Sequence, residues 1–346
     1  MSRVALTLVV ILALVGCAAE SGTVRVDSPG SGLPAAPSAA GPGFAFKGER
    51  VAVAIPAFKN VTGRPEVEWF GLAMAETLTS KLGNVARLKV IERNRMDEIL
   101  KEMALAQSGL VEAKFMEFGK MAGAQNLIIG SFQAIGDKDA MMVKVTARAV
   151  DTVTGVVVQG QGIDAQGSFK DIFALQDRLA ESITATLRVE VTPDEKKRVT
   201  AKETSSVAAY EIYWLARAEG DPARKITLLR KAVEMDSGYA LAHLNLAGVL
   251  FAMTMNQPDN PEVERHAIEA ARLDGTLAEA YNVAGTYYDR LAFAQNKAGS
   301  PAAKQTAARA IENYKRFVQM KTDSDSVFFK GQVERAKRKI DELSRI

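Results

Sequence analysis

The chain has 346 residues, a formal charge of +3, 25% charged residues and one cysteine. That length provides for two domains with a core in each, and so small a net charge selects no particular partner. No dense Lys/Arg block with interleaved aromatics appears, which argues against a nucleic-acid surface, and a lone cysteine excludes an internal disulfide.

Arg3 and the apolar run Val4 to Val15 form a basic start and a hydrophobic segment too short to span a bilayer. Leu14-Val15-Gly16-Cys17 matches the lipobox of bacterial lipoproteins: the small Gly16 suits the signal peptidase, and the Cys17 thiol would take a diacylglyceryl group. An ordinary secretory signal with a stray cysteine is the alternative. Residues 1–16 are thus expected as a signal peptide. Ala18, a residue other than aspartate after the cysteine, directs the expectation to the periplasmic face of the outer membrane. Residues 17–46, rich in Ala, Gly, Ser and Pro, cannot bury enough surface to offset their ordering entropy and read as a lipidated flexible tether. Its r.m.s. reach is about 30 Å. The same composition suits an epitope that folds on a partner.

Residues 47–192 read as an α/β domain. Val51, Val53 and Ile55 alternate as a first strand. Val67, Phe70, Met74, Leu78 and Leu82 mark a long amphipathic helix. Leu88 to Ile91 is a second strand. Met96, Ile99, Leu100 and Met103 recur as one helix face, Gln107-Ser108-Gly109 breaks it, and Phe115, Phe118 and Ala122 mark a short helix ended by Gly123. Leu127-Ile128-Ile129 is a buried strand. Met141 to Ala149 alternate as a half-exposed antiparallel strand, Val156 to Ile163 make the third strand of this group, and Ser168 caps a helix buried through Ile172, Leu175, Leu179, Ile183 and Leu187.

One stretch carries a resemblance. Glu92-Arg93, Ile99-Leu100, Glu102, Gln107-Ser108-Gly109, Gly119-Lys120, Gly123-Ala124, Leu127-Ile128 and Gly130-Ser131 resemble the CsgG family of envelope lipoproteins, named for the curli secretion component. The resemblance extends from Val51 to about Leu187. It implies a CsgG-like mixed sheet with flanking helices, a place in outer-membrane assembly or export, and self-association through this domain. In the protein that names the family, membrane-spanning hairpins interrupt the sheet. Here Gly136–Asp139 and Asp164–Gly167 are too short to hold them, since each spanning strand needs about 9–11 residues. A pore is therefore not expected.

Residues 193–206 read as a polar linker. Beyond them, in 207–346, Leu244-Asn-Leu-Ala-Gly248 repeats as Tyr281-Asn-Val-Ala-Gly285, 37 positions on. Lys231–Asp236 and Glu269–Asp274 repeat upstream of each. The pattern resembles tetratricopeptide repeats (TPR) and implies an all-α helical repeat domain, with Pro222, Pro261 and Pro301 at helix starts. Glu279, Asn282, Thr286 and Asp289 share one helix face and, with Asn245, are the candidate lining of a peptide groove.

No nucleophile elbow, P-loop or calcium loop is present, and His243 and His266 have no cysteine to join in a metal site. Gly160-Gln-Gly162 lacks dinucleotide-loop spacing, and an enzyme would be favoured by an acidic pair, such as Glu92 with Asp97, buried together with shifted pKa values. The expectation is no enzyme, no metal, and no cofactor beyond the acyl lipid on Cys17. Expected partners are the membrane, through that anchor, and other envelope proteins, for which the chain would be a scaffold or accessory. Two further readings stay open: a regulatory lipoprotein that activates a peptidoglycan synthase, and a ligand-sensing α/β domain joined to a TPR adaptor.

Overall fold

The computed structural model describes residues 49–103, 114–137, 140–158, 162–254, 257, 259–322 and 327–346. Cys17, the signal peptide and tether, the Gln107-Ser108-Gly109 break and Gly160-Gln161 lie outside the described residues. The chain divides into two compact units: one reaches Val207 and includes 327–331, and the other holds 208–322 and 332–346.

The first unit runs β1 (Val51–Ala54), β2 (Lys59–Asn60), α1 (Trp69–Gly83), β3 (Leu88–Val90), α2 (Arg93–Glu102), α3 (Phe115–Ala122), β4 (Asn126–Ile135), β5 (Met142–Asp151), β6 (Ile163–Ser168), α4 (Ile172–Thr186) and α5 (Pro193–Val199). The sheet order is β3-β1-β4-β5-β6, with β2 beside β4. β1 lies parallel to β3 and β4, whereas β4, β5 and β6 run antiparallel. This is the mixed α/β sheet with flanking helices that the sequence implied.

Burial along β4 shows how the sheet is covered. Leu127 joins Met96, Ile99, Phe115 and Phe118 in the core formed under α2 and α3. Phe132, whose side chain alternates to the other face, stacks edge-on against Phe70 of α1 at 4.9 Å. Such aromatic pairs add about 0.5–1.5 kcal/mol beyond their buried area. Past Ile129 the α2/α3 face of the sheet is uncovered: Gln133, Ile135, Met142, Lys144, Thr146 and Arg148 are exposed while Val143, Val145, Ala147 and Ala149 are buried. The strict alternation of β5 follows from that one-sided cover. Gly119 brings α3 against the sheet, since a Cβ there would stand 2.3 Å from the Thr152 side chain. Thr152 in turn donates to Ala124 O.

Two expectations need correction. Among the described residues of the strand expected over Val156–Ile163, Val157 makes an isolated bridge with Val150 and Val158 N bonds Ala149 O, while β6 begins at Ile163 and runs through Asp164–Gly167 to Ser168. The turn before Val156 is held by one Asp151 carboxylate oxygen, which accepts from Val153 N, Thr154 N and the Thr154 hydroxyl. The second correction concerns residues 193–206, expected as a linker. Thr192 and Glu195 form a reciprocal capping box that starts α5, and Glu195 also accepts from Ala86 N at 2.7 Å. Buried Lys81 pairs with Asp177 at 2.8 Å and donates to Val199 O and Ala201 O. The segment is thus built into the α/β unit.

The second unit is all helix: α6 (Val207–Ala218), α7 (Pro222–Met235), α8 (Ala240–Met253), α9 (Pro261–Leu273), α10 (Ala278–Lys297), α11 (Ala303–Lys321) and, from Gln332 on, α12 (Val327–Leu343). α8 packs on α7 and α9, and α10 on α9 and α11. The repeat is visible in its joints. Asp236 and Asp274 end α7 and α9 in extended conformation, and their carboxylates accept from Gly238 N and Thr276 N. Pro222 and Pro261 open α7 and α9 behind the caps Asp221 and Asn260. Ser300-Pro301 does not follow this rule: α11 begins at Ala303, and the extra residues lengthen α10 to Lys297.

Candidate functional site

The candidate groove residues sit on α8 and α10, and they do not line an open face together. Asn245 is half-buried and donates to the Tyr213 hydroxyl at 3.0 Å and to Leu241 O, so it ties α8 to α6. Asn282 donates to Gln332 of α12 at 2.7 Å. Thr286 and Asp289 are 6% and 8% exposed. Glu279 alone keeps a carboxylate near solvent, 3.6 Å from Lys321.

What covers Thr286 and Asp289 is Tyr314 of α11 and Lys339 of α12. The Tyr314 hydroxyl lies 3.3 Å from Thr286 Oγ1 and 3.4 Å from Asp289 Oδ2, and Lys339 Nζ is 3.5 Å from that same oxygen. Gly285 makes the approach possible, because a Cβ there would stand 2.8 Å from the Tyr314 ring. Burial pushes the Asp289 carboxyl above the usual carboxylate range, and Lys339 pulls against it. Burial likewise pushes the Tyr314 phenol up. This correction has a plain cause: polar residues at i, i+3, i+7 and i+10 form one face, and that face here meets two further helices of the same unit. It holds the repeat together and is closed to a peptide.

The acidic pair that would have favoured catalysis is absent: Asp97 is half-exposed and paired with Arg93 at 2.8 Å. Among the described residues, no group of three or more His, Cys, Asp or Glu is placed to hold a metal ion. No described helix is long and apolar enough to cross a membrane.

Two features escaped sequence reasoning. A cleft of about 570 Å³ opens at one end of the sheet, its lining including Val51, Val153, Val158, Leu187, Gln125 and Arg188. Arg188 is the only described non-glycine residue in the left-handed region, at φ 54°. It ends α4, where its own N–H bonds Ala185 O and that of Val189 bonds Thr184 O. A left-handed arginine gives no sequence signal, since the position favours glycine. The second feature is the contact between His243 of α8 and His266 of α9. Their Nδ1 atoms are 2.8 Å apart and both side chains are buried. Both histidines were visible in the sequence, yet their 23-residue separation gave no hint of a pair.

Comparison with known proteins bears on the first unit. Residues 46–139 match the family model described as Curli production assembly/transport component CsgG. A protein of Rhizobium meliloti (strain 1021) described as "Putative adenylate cyclase 3" is 26% identical over 243 residues, covering 66% of this chain. The chain spans 38% of that relative's length. The matched stretch falls on the mixed sheet whose α2, α3 and β4 carry the motif residues, so the α/β unit is similar to the CsgG family over residues 46–139.

Proposed function

We propose that this chain is a lipid-anchored periplasmic scaffold or accessory protein for curli-type outer-membrane assembly or export. It acts by binding other envelope proteins and is not itself a pore. The observation that carries this reading is the CsgG match over residues 46–139, on a sheet whose β4–β5 turn is too short for a spanning hairpin. Lipidation at Cys17 would hold the chain at the outer membrane, and the helical unit supplies protein-binding surface outside the closed α10 face. Crosslinking in intact envelopes, followed by detergent pull-down, tests this. Export or fibre-secretion components are expected with the native chain and should be lost with Cys17→Ser. Recovery of a peptidoglycan synthase instead would overturn it in favour of a regulatory lipoprotein.

The cleft at Arg188 and the name of the Rhizobium meliloti relative support a second reading, a ligand-sensing α/β unit coupled to a helical adaptor. Incubation of the full chain with ATP and a divalent cation should give no cyclic nucleotide. Its formation would make the chain an enzyme and overturn both readings.

A further inference from the structure

His243 and His266 are joined in a hydrogen-bond chain whose protons have one consistent order. Two ring nitrogens 2.8 Å apart require one donor and one acceptor. His243 Nε2 lies 3.1 Å from Ser237 O, a carbonyl that can only accept, so that nitrogen carries the proton. Neutral His243 then has a bare Nδ1, and His266 Nδ1–H donates to it. The remaining His266 Nε2 is bare and faces Arg265 Nη2 at 3.3 Å, which can only donate. Each imidazole holds one proton, and the order runs from Arg265 through His266 and His243 to Ser237.

A second proton has no place in this chain. On His243 it would set N–H against N–H across the α8–α9 contact. On His266 it would set N–H against a guanidinium. The surrounding charges do not compensate. Glu262, 3.8 Å from His266 Nε2, accepts from both Nε and Nη2 of Arg230 from α7. Glu269 is held in the same way by Arg272. Arg265, itself 3.9 Å from Glu262, is the charge in direct contact with His266. α8 carries no other titratable side chain, and on α10 Glu279 pairs with Lys321, Asp289 with Lys339, and Arg290 donates to Thr254 O, while Lys297 sits exposed at the helix end.

We propose that the His243–His266 contact is an acid-opened latch: protonation of the pair breaks the bond between α8 and α9 and loosens that helical hairpin. Burial, then the neighbouring imidazole and Arg265, push His266 down from 6.5 to about 4, and burial also lowers His243. The fold therefore favours the neutral rings. The stabilisation is complete above pH 6.5, declines as the pH falls towards about 4, and changes no further below that.

Amide hydrogen exchange on the full chain, corrected for the intrinsic pH dependence of exchange, reads the opening directly. Between pH 7 and 4.5, α8 and α9 should lose roughly ten-fold or more in protection, with α11 as the internal reference. His266→Gln should flatten that response. Unchanged protection in the native chain, or an equal loss in His266→Gln, would overturn the proposal. Imidazole ¹⁵N spectra of the native chain give a test that does not depend on the variant folding. Opposite tautomers at pH 7 and depressed titration are expected, and two ordinary titrations near 6.5 would overturn it.

Discussion

Asp289 and His266 respond to acid with opposite sign. The Asp289 carboxyl is raised by burial, so the fold favours its protonated form, and its contribution to stability falls as pH rises through that raised value. The Lys339 ammonium is what makes the charged form tolerable at neutral pH. Lys339→Met should therefore destabilise the chain by about 1–3 kcal/mol at pH 7 by leaving a buried carboxylate without its counter-charge. The loss should shrink as the pH is lowered and Asp289 takes up a proton, which denaturant titrations at two pH values would show. Asp289→Asn at neutral pH should be close to neutral by the same measurement. Polarity at helical spacing identified Thr286 and Asp289 as belonging to one face. It could not say whether water or protein lies opposite, because Tyr314 and Lys339 come from later helices.

The two glycines of the repeated Asn-x-Ala-Gly motif behave differently within their helices. Nothing lies within 4 Å of a Cβ placed at Gly248, whereas at Gly285 it meets the Tyr314 ring. Gly248→Ala should raise stability by about 0.5–1 kcal/mol through helix propensity. Gly285→Ala should lower it by about 1–3 kcal/mol through overpacking. Thermal melts of the two variants separate these effects at matched sequence positions. The repeat itself was legible because motif and spacing are local, as were β1, α3 and β5. α5 was not, because five charged residues between Pro193 and Val199 offer no apolar stripe, and what holds the helix is Lys81 and Ala86 from distant parts of the chain. A fragment of residues 47–206 should therefore melt higher than one of residues 47–192, and within the full chain Lys81→Met should cost about 3 kcal/mol or more. Equal melting of the two fragments would return residues 193–206 to the role of a linker.

At the scale of the molecule, sequence alone gave the order of a CsgG-like unit and a TPR-like unit, since each rests on a dense set of local motif residues. The proposed groove failed because its openness depends on which helices dock on α10, a property of the assembled array. The anchor is tested at this scale too: Cys17→Ser should move the chain from the detergent-extracted membrane fraction to the soluble fraction. The ends of the sheet carry a further consequence. β3 has only three residues with Lys89 exposed at its centre, and at the other end Arg178 donates to Gln166 O of β6 while Asp164 is exposed. Short, charged and partly occupied edges are poor templates for adding a strand from another chain. An assembly built from this unit is therefore expected to join through side-chain surfaces, without its strand edges seeding cross-β growth.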